Sequence, residues 1–226
     1  RNVARMASLL AGLPVTVPGN TLIRICASGL QAIMDGARQI ATGDAELIIA
    51  SGVESMTRAP FVMGKSNTAF DRQTSFFDTT LGWRFINPRL AAQYPPFTMG
   101  ETAENVARQW KISREDQDAF AFSSQQKYFA AKEADRWAEE IQPVEQVEKG
   151  MITWFTHDEH PRNTTTEKLA SLQPAFVKDG TVTAGNASGI NDGSAAMLLA
   201  SEEALKEFNL QPLGRIVSMA VAGVDP

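Results

Sequence analysis

The feature that most constrains the fold is a change of periodicity inside residues 20–52, NTLIRICASGLQAIMDGARQIATGDAELIIASG. A β-rich run at 21–25 gives way at Cys26, followed by the small residues Ala27, Ser28 and Gly29. Beyond them Leu30, Ile33, Met34, Ala37 and Ile40 recur at the spacing of one helix face. Gly43 stands where a left-handed helix stop belongs, and the apolar run at 46–52 reads as a second strand. Strand, helix, strand predicts a βαβ unit in a parallel, buried sheet, so an α/β chain is expected.

The flanking segments extend this pattern. Residues 2–11 have helical apolar spacing that stops at Gly12 and Pro14. From about Glu54 to Val182 the texture changes: prolines and aromatics are scattered, and a long charged helix is expected from Ser113, with Asp116 three residues on as in an N-terminal cap. This region reads as an insertion or second subdomain. Residues 185–208, GNASGINDGSAAMLLASEEALKEF, are expected to pass from a Gly-rich turn into a helix, and LGRIVSMAVAGV at 213–224 to form another strand.

At 226 residues, 43% hydrophobic and 21% charged, the chain can bury a substantial core. Its net charge of −5 and dispersed Lys and Arg argue against a nucleic-acid partner. No apolar run approaches the roughly 20 residues of a membrane span, and one cysteine cannot form an internal disulfide, so no membrane and a cytoplasmic location are expected. The Asn-x-Ser/Thr matches at Asn163 and Asn186 then carry no meaning as glycan acceptors. The first residue, Arg1, falls in a helix-like pattern and the last follow a β-rich run, so the chain is expected to be part of a larger fold.

A lone cysteine is ordinarily a small core residue. Cys26, however, stands at a strand-to-helix turn, where unpaired backbone N–H groups and the helix dipole favour a thiolate. Small neighbours there let a carbonyl approach and let backbone amides act as oxyanion donors. The reading is an acyl-accepting thiol. His157 and His160, in HDEH, are the only histidines. They stand as a base for Cys26, as two ligands of a metal site, or as part of a solvated polar loop, the last being favoured. The run GNASGINDGSAA matches neither a Walker nor a dinucleotide pattern, leaving a tight turn and a ligand contact as equal readings.

Taken together, CASGLQAI, SGVESMTRAPFVMGK, MGETAENVA, SREDQDAFAFSSQQK and TVTAGNASGINDGSAAMLLASEEA resemble the blocks of the thiolase family, in the family's order and over essentially the whole chain. FDTTLGWRFINP resembles the branch that cleaves 3-oxoadipyl-CoA to succinyl-CoA and acetyl-CoA. The resemblance implies a layered α-β-α-β-α fold. Residues 1–56 and 190–208 would form an incomplete N-terminal half, 57–189 a loop domain holding coenzyme A, and 209–226 the start of a C-terminal half. It implies that Cys26 is acylated, that Arg162 contacts the adenine side of CoA, and that Phe176 lines the pantetheine channel. Ala184 and Ser188 would hydrogen-bond the pantetheine, and Met99 would border the acyl pocket. No metal and no cofactor are implied, CoA being a substrate, and the assembly would be a homodimer or homotetramer.

The chain departs from the family at three places. Ile23 and Ala27 replace an Asn and a Gly common in relatives, and Thr98 stands where some biosynthetic relatives have His. The family's Asn-Glu-Ala-Phe segment, Gly-His-Pro histidine and Cys-x-Gly cysteine are not among these residues. Two other readings therefore stand beside an acyltransferase: a noncatalytic CoA-binding module, and a scaffold.

Overall fold

In chain order the elements are α1 (Val3–Leu10), α2 (Ser28–Ala41), β1 (Leu47–Glu54), β2 (Phe61–Met63), β3 (Phe76–Asp78), α3 (Pro88–Ala91) and α4 (Met99–Trp110). They continue with α5 (Arg114–Glu133), β4 (Val144–Glu148), β5 (Met151–Phe155), α6 (Thr166–Ala170), β6 (Gly193–Ala200) and α7 (Glu202–Glu207). The structure is a computed structural model that describes residues 2–66 and 68–224. Two units divide them, residues 1–56 with 192–226, and residues 57–191.

In the first unit Asn2 caps α1 by accepting from the Arg5 amide, 3.0 Å, and Gly12 ends the helix at φ +77°, as its place in the sequence suggests. The following segment then folds back along α1. Arg5 donates to the carbonyls of Val17 and, at 2.8 Å, Val15, while the Ala4 amide donates to Thr21 Oγ1, 3.2 Å. The expected strand at 21–25 is accordingly absent. Its first residue is engaged with α1 and its last, Ile25, takes φ +48°, which an extended chain cannot have.

Helix α2 lies on β1 and β6 with Met34 and Gly36 buried. A Cβ on Gly36 would stand 2.8 Å from Leu199 Cδ1 and 3.2 Å from Ile48 Cγ2, so glycine sets how closely the helix approaches the sheet. β1 pairs with β6 antiparallel, from Leu47 opposite Ala200 to Glu54 opposite Gly193. The α/β class expected from sequence holds, but the parallel βαβ unit does not, because the partner of β1 arrives only after the whole 57–191 segment. The run GSAAMLLA, expected to be helical, is this strand: cross-strand pairing overrides the helix preference of its alanines and leucines. The helix begins later, where Ser201 accepts from the Ala204 amide, and the Ser201 amide donates to the Glu46 carbonyl, 2.9 Å. The other face of the β1–β6 sheet leaves Ile49, Val53 and Leu198 exposed. Residues 213–224 form no strand either, and Leu213, Val217 and Val224 are exposed; β-rich composition produces a strand only against a partner.

In the second unit α4 opens with a complete capping box: Thr98 accepts from the Glu101 amide and its own amide donates to Glu101 Oε2, 2.8 Å. Ser113 caps α5 as its sequence implies, accepting from the Asp116 amide, 3.0 Å, but the helix stops at Glu133 because Asp135 turns left-handed at φ +51°. β2 and β3 form one antiparallel pair, β4 and β5 another. The β4–β5 connection is Lys149-Gly150 with φ +51° and +82°, two left-handed residues as a tight hairpin needs. Leu169 of α6 is buried beside α5, and its carbonyl accepts from Arg114, 2.7 Å.

Candidate active site

Cys26 is a free, exposed thiol. Ile25 before it adopts φ +48°, a left-handed conformation that costs an L residue about 1–2 kcal/mol and is unusual for a β-branched one. Two backbone bonds close the turn, Ala27 N–H to the Arg24 carbonyl (3.0 Å) and Ser28 N–H to the Ile25 carbonyl (3.1 Å). The Ser28 hydroxyl clasps it from the side, accepting from the Arg24 amide (2.8 Å) and donating to the Ile25 carbonyl (2.6 Å). The turn runs straight into α2, whose N-cap, Ala27, supplies no side-chain bond, so with the Ser28 amide engaged by Ile25 the Gly29 and Leu30 amides stay available to a ligand oxygen. A Cβ on Gly29 would meet nothing within 4 Å, which leaves open space at that end of the helix. Ala27 has φ −89°, so the turn needs no glycine there, and Ile23 points into solvent at 83% exposure; neither departure disturbs the presentation of the thiol.

The other five candidate residues all belong to the second unit. Met99 is the first residue of α4 and is exposed. Next to it, a Cβ on Gly100 would stand 2.1 Å from Phe176 Cγ, so the Phe176 ring rests directly on the glycine. Phe176 lies in a run, 173–179, that lines an open pocket of about 350 Å³. This run is tied to the next by an antiparallel bridge between Pro174 and Thr183 and by the Ala175 amide donating to the Val182 carbonyl, 2.9 Å. That second run carries Ala184 and Ser188, both exposed. Thr98 is the N-cap of α4, and its amide, with its hydroxyl second, holds the Glu101 carboxyl below its ordinary range.

Arg162 is exposed, but its Nη1 turns back on its own loop. Its Nη1 donates to the carbonyls of Glu159, His160 (2.9 Å) and Pro161 (3.2 Å), and its amide donates to Gln125 Oε1 on α5, 2.9 Å. The guanidinium therefore organises the 159–161 turn. His160 Nδ1 would be 2.3 Å from a Cβ on Gly189, so this turn abuts the loop of Ser188. His157 instead stacks on Phe155, ring centres 5.3 Å apart. Among the described residues no group of three or more His, Cys, Asp or Glu is placed to hold a metal. Burial, then the Asp158 carboxylate and its hydrogen bond, push the Tyr128 phenol upward.

Sequence reasoning missed the polar side chains beneath this loop. Glu104 Oε1 accepts from the amides of Thr181 and Val182, 2.8 Å each, and Asp118 accepts from Arg114 Nε (2.7 Å) and Asn186 Nδ2 (2.9 Å). Both carboxylates are buried. A signal existed for Glu104, which shares a helix face with the buried Gly100 and Ala107 at i−4 and i+3.

The exposed thiol of Cys26 thus lies in the first unit, and the other candidate residues lie in the second. The chain belongs to the thiolase family: the family model Thiolase, N-terminal domain, matches residues 1–203. Among its relatives, the beta-ketoadipyl-CoA thiolase of Escherichia coli is 56% identical over 228 residues, covering 100% of this chain and 57% of that protein. The crystal structure of the Bacillus anthracis acetyl-CoA acetyltransferase superposes with a TM-score of 0.88 at 44% identity, over 99% of this chain and 56% of that one. Human mitochondrial 3-ketoacyl-CoA thiolase in complex with CoA gives 0.80 at 39% identity, over 93% and 52%. The α/β fold is thus the thiolase fold, and the chain spans about half the length of the relatives it matches. Among the described residues no helix is long and apolar enough to cross a membrane.

Proposed function

We propose that these residues are the N-terminal part of a thiolase that cleaves 3-oxoadipyl-CoA with coenzyme A, through an acyl intermediate on Cys26. The observation that carries the reading is the 56% identity to beta-ketoadipyl-CoA thiolase across this chain, which covers 57% of that protein, with the one cysteine of the chain exposed beside the turn that Ser28 clasps.

In this reaction the Cys26 thiolate adds to the C3 carbonyl of the substrate. The C2–C3 bond then breaks, its electron pair passing to C2, which takes a proton and leaves as acetyl-CoA. Cys26 keeps the succinyl group as a thioester until the thiol of a second CoA attacks and carries it away as succinyl-CoA. The Gly29 and Leu30 amides in the first turn of α2, which no side chain caps, suit the oxygen on which negative charge develops. Met99, Phe176, Ala184, Ser188 and Arg162 would hold the coenzyme, Phe176 and Met99 as apolar walls and Ala184 and Ser188 as polar contacts to pantetheine. The 159–161 turn, closed by Arg162, would face the adenine end. The chain has one cysteine, so the second thiol that shuttles the C2 proton is not among these residues.

The test is the mass of the natively expressed protein before and after brief exposure to succinyl-CoA, together with thiolysis of 3-oxoadipyl-CoA. One succinyl group on Cys26 and turnover that disappears in Cys26→Ala are expected. Turnover at an undiminished rate in Cys26→Ala refutes the role of the thiol. Coenzyme binding without any acyl transfer would instead support the noncatalytic module.

A further inference from the structure

The exposed residues Ala184 and Ser188 sit on a run with no regular secondary structure, so something other than a helix or sheet ladder has to fix their positions. Between them lies Asn186, half-buried, and every polar atom of its side chain is engaged. Oδ1 accepts from the Thr183 amide (2.7 Å); Nδ2 donates to Asp118 Oδ1 (2.9 Å) and to the Thr181 carbonyl (3.2 Å). The amide thus bridges two backbone groups at the start of the loop and anchors them to α5. Thr183, fully buried, closes the turn from inside, its hydroxyl accepting from the Gly185 amide at 3.1 Å.

The anchor is itself anchored. The second oxygen of Asp118 accepts from Arg114 Nε, and Arg114 Nη2 donates to the carbonyls of Leu169 (2.7 Å) and Leu172 (3.0 Å). Glu104 on α4 grips the other end of the run through the Thr181 and Val182 amides. Burying two carboxylates is costly, and apolar packing would serve stability as well. What the polar arrangement supplies, and apolar packing does not, is direction: each bond sets the orientation of one backbone group of the loop.

Resting on the coenzyme A reading above, we propose that Asn186, held by Asp118, is a positioning residue that pre-forms the 181–188 loop so that Ala184 and Ser188 meet the pantetheine arm without reordering. A loop fixed in its bound shape loses less freedom when the ligand arrives, so the clamp acts on coenzyme affinity rather than on bond cleavage at Cys26.

The experiment uses the full-length protein. Asn186→Ala is expected to raise KM for CoA about tenfold in thiolysis while kcat at saturating CoA stays within about twofold, the pattern of a lost binding contribution. Asn186→Asp sets two carboxylates face to face and should raise KM further. The exchanged pair Asn186→Asp with Asp118→Asn restores one donor and one acceptor at the 118–186 contact but leaves the Thr181 carbonyl without its donor, so it should bring KM below that of Asn186→Asp alone without restoring the unsubstituted value. If Asn186→Ala does not fold, Asp118→Asn, which keeps the shape, should still raise KM severalfold, with the Kd for CoA from calorimetry moving in parallel. Unchanged KM and Kd in these variants, or a fall in kcat with KM constant, overturns the proposal. An unsubstituted protein that neither turns over nor binds CoA defeats the function reading itself and the clamp with it.

Discussion

Replacing Ser28 with alanine removes both hydrogen bonds that its hydroxyl makes to the turn before Cys26, 2.8 Å from the Arg24 amide and 2.6 Å to the Ile25 carbonyl. Each contributes a net of about 0.5–1 kcal/mol at this half-open position, so about 1–2 kcal/mol is lost together. The left-handed Ile25 costs about the same, 1–2 kcal/mol. With the clasp gone, the two remaining backbone bonds no longer hold the strain with a margin, and Ile25 spends much of its time at negative φ with the thiol turned away. A change of 1.4 kcal/mol is a factor of about ten in rate. Single-turnover succinylation of Cys26 at saturating succinyl-CoA, followed by mass spectrometry, should therefore slow about tenfold in Ser28→Ala. Ile25→Gly removes the strain at a residue whose side chain is 80% exposed, so little burial is lost. Combined with Ser28→Ala it should recover most of the rate. A Ser28→Ala rate within twofold of the original, or no recovery in the double variant, would show that the turn does not depend on this clasp.

Gly36→Val forces methyl groups into the contact with Leu199 and Ile48 and should destabilise the protein by about 2–3 kcal/mol, whereas Gly29→Ala, with nothing within 4 Å of the new Cβ, should be neutral or slightly stabilising; urea unfolding of both compares them. The capping carboxylate of Glu101 is held below its ordinary value of 4.5 by the Thr98 amide and then hydroxyl. A group with a lowered folded pKa stabilises above its unfolded value and loses that contribution as pH falls through the folded one. Amide exchange in the first turn of α4 should therefore accelerate, relative to its intrinsic rate, as pH falls below about 4.5, and Glu101→Gln should abolish that acid-specific loss. Equal pH dependence in both proteins would remove Glu101 from the cap.

Local signals were legible from residues alone. Gly12 and Gly43 end helices at positive φ where their places in the pattern put them, Ser113 caps α5, and Cys26 stands at the head of α2. These features depend on neighbours within a few positions, and the side chain or its absence decides them directly. What was not legible depends on partners distant in the chain. The run at 21–25 has strand-like residues but is drawn along α1 by Arg5 and Thr21, and the alanines of 193–200 prefer a helix until β1 pairs with them.

The candidate site divides in the same way. The place of the one cysteine, the small residues after it and the thiolase blocks are properties of sequence, since chemistry and local turn shape reside in residue types at fixed spacing. The left-handed Ile25 and the Ser28 clasp, the Phe176 ring on Gly100, and the Arg114–Asp118–Asn186 network exist only in three dimensions. Residues 118 and 186 are brought to 2.9 Å by packing that no spacing along the chain encodes. The order of residues determined which chemical groups were available; the tertiary structure decided which of them are held, and in what direction, because hydrogen bonds act over about 3 Å whatever the separation in sequence.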